Sequence, residues 1–356
     1  MTLLLILAGI AGYCQDSSLW FRTESENTEV VGYKDQSGTL RIGQRLSYLT
    51  RAHHFENVIA TADSGSYQFY YLLKSGRIFG KDSVYGLEGS VDCEREGFVR
   101  AMNRKGEGLG LFNRLGKLVV PMEYNHLSPV TNGMVIALKG AEKHYWDKDD
   151  HSGCNHYSWK GGCDLLIDTA NRILIDSFFD GYDLNLHTLK ISDAPDPDTI
   201  RRNYKAMNGS YYSFVVSEKE FLQWFMNNLL PDLSRERLAA ALYEEFQWWD
   251  SVAGWLAIPG DQVPDDIYKQ ILSQLGICQK DNSVCEISRD IYLVGRERDN
   301  YQEYIDNCGE LKELQYPIFG VNIETGAEDI TFRSHFQFLR TDYGYKLVTV
   351  SIREIL

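Results

Sequence analysis

Asp147, Asp149, Asp150, His151, Cys154, His156 and Cys163 gather in one stretch, and each is a residue type that ligates metals. Residue type alone does not make a site, because a zinc centre or a calcium loop also fixes the spacing. No Cys-x-x-Cys and no histidine pair at helical spacing joins them, and the aspartates lack the sixth-position glycine of an EF-hand loop. The stretch reads as a disulfide-closed surface loop, and no metal ligand is assigned. His53 and His54 are adjacent, so on a strand they point to opposite faces and do not share one ion. His335, on an expected strand, offers a base with Asp290 or Glu303 as its carboxylate partner. The sequence contains no Gly-x-Ser-x-Gly elbow, Gly-Lys-Ser/Thr phosphate loop, dinucleotide fingerprint or zinc-protease helix. No catalytic residue and no cofactor is assigned.

The cysteines point to a compartment. Leu3–Ala11 is a short, uncharged apolar run followed by the polar Gln15-Asp16-Ser17-Ser18. It is too short to span a bilayer and reads as a secretory signal over residues 1–14, which places the mature chain in the periplasm or outside the cell. Removal of Cys14 leaves six cysteines, of which Cys154 with Cys163 and Cys278 with Cys285 are spaced for small local disulfide loops. The pairing of Cys93 and Cys308 stays open.

Charge excludes further classes. The 356 residues carry a net charge of −14 with no Lys/Arg-rich run, so there is no electrostatic footprint for nucleic acid or an anionic membrane surface. The acidity is uneven. Residues 1–150 hold 17 basic and 18 acidic groups against 19 and 32 in residues 151–356, a net of −1 against −13. A near-neutral first half joined to an acidic second half suggests two domains, and it favours a basic partner for the second.

What must position any site in the first half is a repeat. Leu111-Phe112, the turn Asn113–Gly116 and Lys117–Val120 read as a hairpin that Pro121 stops, followed by Gly133 and the apolar run Met134–Leu138. The same grammar surrounds Gly38 and Gly76, and it recurs at Leu165–Ile175 with Asn171 in the turn, since Asn enters the left-handed region most readily after Gly. These four turn positions are 38, 40 and 55 residues apart, and the last gap holds an insertion containing Tyr145, Trp146, Tyr157 and Trp159. Val58–Thr61 is expected to close the first unit. Insertions in such arrays commonly gather on a binding face, so these four aromatics are the candidate contact surface.

The third unit resembles the WG, or KWG, repeat. Gly110, Asn113, Gly116, Lys117, Pro121, Tyr124, Asn125, Gly133 and Ala137 fall where that pattern places them, while Leu109 takes the position of its tryptophan. The resemblance spans residues 27–188. It implies stacked or propeller-like β hairpins acting as an interaction module, with no catalytic motif to carry over.

Ser192–Thr199, with two prolines, reads as a linker over 192–200 between a β domain at 15–191 and an α+β domain at 201–356. Ser217 and Glu220 form a capping box for a helix ended by Pro231. A long helix is expected from Arg235, capped by Ser234, to Trp255, and a third from Pro264 to Gly276. Ile291–Val294, Ile318–Ile323, Thr331–Leu339 and Tyr345–Ile352 read as strands, the last two joined by the turn Thr341–Gly344. That closing hairpin is similar to the last hairpin of nuclear-transport-factor-2-like cone folds. The fold class is therefore a mainly β repeat array, propeller-like or solenoid, followed by an α+β domain. Two functions fit it: a secreted or periplasmic non-enzymatic protein that binds a protein, peptide or envelope component, or an envelope hydrolase whose site lies in the C-terminal domain.

Overall fold

The computed structural model describes residues 18–24, 29–66, 68–87, 90–146, 156–281, 284–293, 301–327 and 330–355. The expected signal segment and, of the metal-type cluster, Asp147, Asp149, Asp150, His151 and Cys154 lie outside them. The chain is mostly β, with 49 % strand against 14 % helix, arranged in many small antiparallel sheets.

Four turns in the first half are built alike. Gly38, Gly76, Gly116 and Asn171 all have positive φ, between 64° and 83°. Each donates its N–H to the carbonyl three residues back: Asp35, Leu73, Asn113 and Asp168. In three of the four the residue at that position also locks the turn with its side chain. Asp35, Asn113 and Asp168 each accept, on Oδ1, the backbone N–H groups two and four residues on. An Asp or Asn there satisfies donors the tight turn would otherwise leave unpaired. Gly110 has a different reason. It sits where the neighbouring strand bulges, and an added Cβ would collide with the Val120 carbonyl, so the residue must be small. That bulge also corrects the role of Pro121. The strand Leu118–Tyr124 runs through it, and Tyr124 still pairs with Leu109.

Sheet pairing is offset from the sequence units by one strand. Val58–Thr61, the expected last strand of the first unit, is a strand, and it pairs with Tyr70–Leu73 of the next unit. Phe98–Met102 likewise pairs with Leu109–Asn113, and Met134–Lys139 with Cys163–Asp168. These three sheets thus join a strand of one sequence unit to the hairpin of the following one, which ties consecutive units together. The segment 192–200, expected as a linker, connects strands of one sheet. Leu184–Ser192 on one side pairs with Tyr211–Val216 on the other, and Arg201–Lys205 completes the same sheet. The architecture changes only after Val216.

Beyond it stands one six-stranded sheet, ordered Gly254–Pro259, Leu242–Asp250, Gly344–Ile355, Ile330–Thr341, Ile318–Ala327, Cys285–Asp290. It packs against helices α1 (Ser217–Trp224), α2 (Arg235–Ala241) and α3 (Asp265–Lys280) around Phe221, Phe225, Phe246, Phe336, Phe338 and Ile271. The closing hairpin and the α+β layering stand as expected, and four local expectations do not. Ser217 does not cap α1: Val216 is the N-cap residue, and Glu220 binds Arg340 at 2.7 Å and Tyr345 at 3.0 Å. The helix from Ser234, whose hydroxyl does cap it, ends at Ala241. Leu242–Asp250 is instead a strand running parallel to Gly344–Ile355, whose pairing groups only the tertiary fold supplies. α3 is preceded by Pro264 as N-cap and runs through Gly276 to Lys280. Cys285–Asp290 forms the strand at the sheet edge, whereas of the expected strand Ile291–Val294 the residues 291–293 are not strand and Val294 lies outside the described residues. Among the described residues, no helix is long and apolar enough to cross a membrane.

Candidate functional site

The segment 301–316 belongs by sequence to the second half but returns to the first. Asp306-Asn-Cys-Gly309 makes the repeat turn again: Gly309 has φ 80°, and Asp306 Oδ1 accepts from Cys308 N and Glu310 N at 2.8 Å each. The turn is covalently fixed by a disulfide between Cys308 and Cys93. Arg95 pairs with Asp306 at 2.5 Å, both largely buried, and Arg51 pairs with Glu310 at 2.9 Å. Asn307 takes its place beside the strand His54–Phe55, which pairs with Trp20–Glu24, accepting from His54 N and donating to His54 O, each at 2.7 Å. At its far end Leu314 O accepts from Leu186 N, and Gln315 O accepts from Asn185 Nδ2, both in the strand Leu184–Ser192. One short segment therefore bridges elements that are distant in sequence.

Two cavities flank it. The larger, about 730 Å³, is lined by His53, His54, Glu56, Glu96 and His187 together with Asn307 and Lys312. Its wall is held by side chains at strand starts. Glu94, whose carboxyl burial pushes up, accepts from Asn57 N and Val58 N, and Glu96 accepts from Asn132 N and Gly133 N. His53 and His54 thus border one cavity, with His54 edge-on to Phe21 and held down by burial. The smaller cavity, about 470 Å³, is lined by Tyr85, Arg100, His126, Tyr182, Glu310 and Glu313, among others. Arg100 is paired with Asp92 at 2.6 Å and lies 4.5 Å from the Tyr85 ring centre.

Burial, with Arg100 second, pushes His126 from 6.5 down to about 4. The unfolded chain takes up this proton between those values and the folded chain does not, so stability falls as pH drops through that window. In urea unfolding, the midpoint is expected to decrease from about pH 7 to about pH 4.5, and His126→Gln to remove the largest histidine share of the slope. His54 and His187, also held down by burial, supply the rest.

The insertion forms a two-stranded ribbon, Glu142–Tyr145 against Tyr157–Lys160. Trp146 is 71 % exposed, Tyr145 43 % and Tyr157 37 %, while Trp159 is half-buried with Tyr157 edge-on to it. Lys143 Nζ lies 4.5 Å from the Tyr157 ring centre. All four candidate contact aromatics are thus on one hairpin, and three present open surface. The expected Cys154–Cys163 bridge involves a residue outside the described ones. Cys163 is an exposed free thiol that opens the strand opposite Lys139, and Cys154 is outside the described residues. Cys278–Cys285 is formed as expected, between the end of α3 and the edge strand.

His335 does meet Asp290. Its Nε2 is 3.3 Å from Asp290 Oδ2, and Nδ1 is 2.7 Å from Asn322 Oδ1. Gln337 Nε2 donates to the same Asp290 oxygen at 2.6 Å. Glu303 lies elsewhere, in the returning segment, where its carbonyl accepts from Lys312. Asp306 has no role in the sequence-based expectations, which leave the partner of Cys308 open, although Asp306-x-x-Gly309 repeats the spacing of Asn113-x-x-Gly116. No protein-family profile matches the chain, and no curated protein matches it significantly.

Proposed function

We propose that this chain is a secreted or periplasmic non-enzymatic binding protein, in which WG-like β units hold an aromatic hairpin that contacts a protein or peptide. The observation that carries the reading is the exposed Tyr145, Trp146 and Tyr157 on the ribbon that follows the strand Met134–Lys139. Large rings with few rotatable bonds give contact area at little entropic cost, and they are enriched at interfaces. Two disulfides fit an oxidising compartment. In capture from an envelope extract, Trp146→Ala with Tyr157→Ala is expected to reduce recovery of the partner at least about tenfold, a typical loss for an aromatic anchor, with the unfolding midpoint unchanged. Equal recovery by both proteins would sink the reading. The hydrolase alternative rests on His335 beside Asp290 and requires that His335→Ala abolish a hydrolytic activity of the purified chain.

A further inference from the structure

We propose that a cleft in the α+β layer is a recognition subsite for one pyranose ring, a neutral sugar unit with adjacent hydroxyl groups. The cleft, about 280 Å³, is lined by the end of α1, by α2 and by the closing hairpin, and no residue of the aromatic insertion borders it. The inference therefore stands apart from the hairpin reading and adds a second contact.

The backbone marks the place. α1 widens after Trp224 into a π-helical turn, Phe225–Leu229, closed by Leu230 N donating to Phe225 O at 3.0 Å. Such turns are rare and recur at functional sites. This one buries Phe225 and Leu229 and leaves Asn227 and Asn228 exposed in the cleft wall. Neither amide forms a side-chain hydrogen bond among the described residues, so each offers both donor and acceptor.

The charged groups of the wall keep capacity too. Arg237 and Asp232 are both exposed and stand 3.7 Å apart, too far for a hydrogen bond between them. Lys346 Nζ donates to Ala240 O at 2.6 Å and retains two further N–H groups. Glu236 and Asp342 adjoin Arg237 and Tyr343 in the chain, so cations and carboxylates nearly balance and neither sign selects the occupant. What the wall does select is a ligand that donates and accepts at neighbouring atoms. Vicinal hydroxyls do both.

Ring surface supplies the other half of the match. Tyr343 is 93 % exposed at the hairpin turn, and Trp224 is half-buried against Phe338 and Tyr345. The C–H face of a pyranose is apolar and packs on an aromatic ring, while the hydroxyls at its rim reach amide and carboxylate. An extended peptide would need an open strand edge, and the bordering strand Gly344–Ile355 is interior to its sheet.

The test is saturation-transfer NMR titration of the full chain with the methyl glycosides of glucose, N-acetylglucosamine, galactose and mannose, with cyclohexanol and the peptide Gly-Ser-Asn-Gly amide as controls. At least one glycoside is expected to bind saturably and about tenfold or more tighter than either control, as a site built for hydroxyl groups discriminates. Tyr343→Ala and, separately, Asp232→Ala with Asn228→Ala are each expected to weaken it at least about fivefold, at exposed positions where the unfolding midpoint should not move. A tetramer of the preferred sugar that binds as well as the monomer assigns the subsite to a glycan chain; a tetramer that does not bind assigns it to the free sugar, and either supports the pyranose. Absence of saturable glycoside binding, equal binding of cyclohexanol, tighter binding of the peptide, or full binding by both variants overturns the inference. Trp146→Ala with Tyr157→Ala should leave glycoside binding unchanged, so loss of this subsite and loss of the hairpin contact are read separately.

Discussion

Replacing Cys93 and Cys308 together with alanine is expected to lower the unfolding free energy by about 4–5 kcal/mol. The bond closes a loop of sequence separation 215, so it removes far more freedom from the unfolded chain than Cys278–Cys285, with separation 7, for which about 2–3 kcal/mol is expected. Its location adds a local effect. Cys308 sits inside the turn that docks 301–316 between the cavities, and without the bond that end of the segment is held by the Arg95, Arg51 and Asn307 contacts, while Leu314 and Gln315 stay bonded to Leu186 and Asn185 at the other. Urea unfolding measures the first effect, and cleavage at Lys312 by a lysine-specific protease reports the second. A loss below about 1 kcal/mol with no new cleavage would show that the non-covalent contacts suffice.

Asp306→Ala is expected to cost about 3–4 kcal/mol, because it leaves the largely buried Arg95 guanidinium without its carboxylate. The same change removes the acceptor for Cys308 N and Glu310 N, so the turn and the ion pair fail together. Asp306→Asn separates the two. Asn103 and Asn113 serve the equivalent turns in this chain, so asparagine should keep the turn and forfeit only the charge. Its cost is expected to be about half that of alanine. Equal losses for both variants would place the whole effect on the ion pair. Combined with the cysteine change the losses should not add, because both act on one short segment.

These two results bear on the uneven charge. Part of the second half's acidity is not free surface, since Asp306 and Glu310 answer Arg95 and Arg51 of the near-neutral first half. The contrast that suggests two separate domains is partly the complementarity by which one half docks on the other.

Local signals were the legible part of the sequence. A turn is set by a few neighbouring residues, so Gly38, Gly76, Gly116 and Asn171 could be placed by type and spacing, and their positive φ follows from that chemistry. The closing hairpin around Thr341–Gly344 and the Cys278–Cys285 loop are local in the same sense. The run Leu238, Leu242, Phe246, Trp249 shows the limit. Its spacing fits a helix, yet from Leu242 onwards the chain is a strand, because hydrogen-bond partners lie some hundred residues later in Gly344–Ile355.

By itself the sequence determined the four like turns, the mostly β character and the closing hairpin, because each depends on residues within one or two turns of chain. Only the tertiary structure decided the one-strand offset between sequence unit and sheet, the partner of Cys93, and the return of 301–316 to build the walls of both cavities. Those are contacts between residues up to 259 positions apart, as in Arg51 with Glu310. No local pattern encodes such a choice of partner. It is fixed when burial, charge pairing and unsatisfied backbone groups are all met at once in the folded chain.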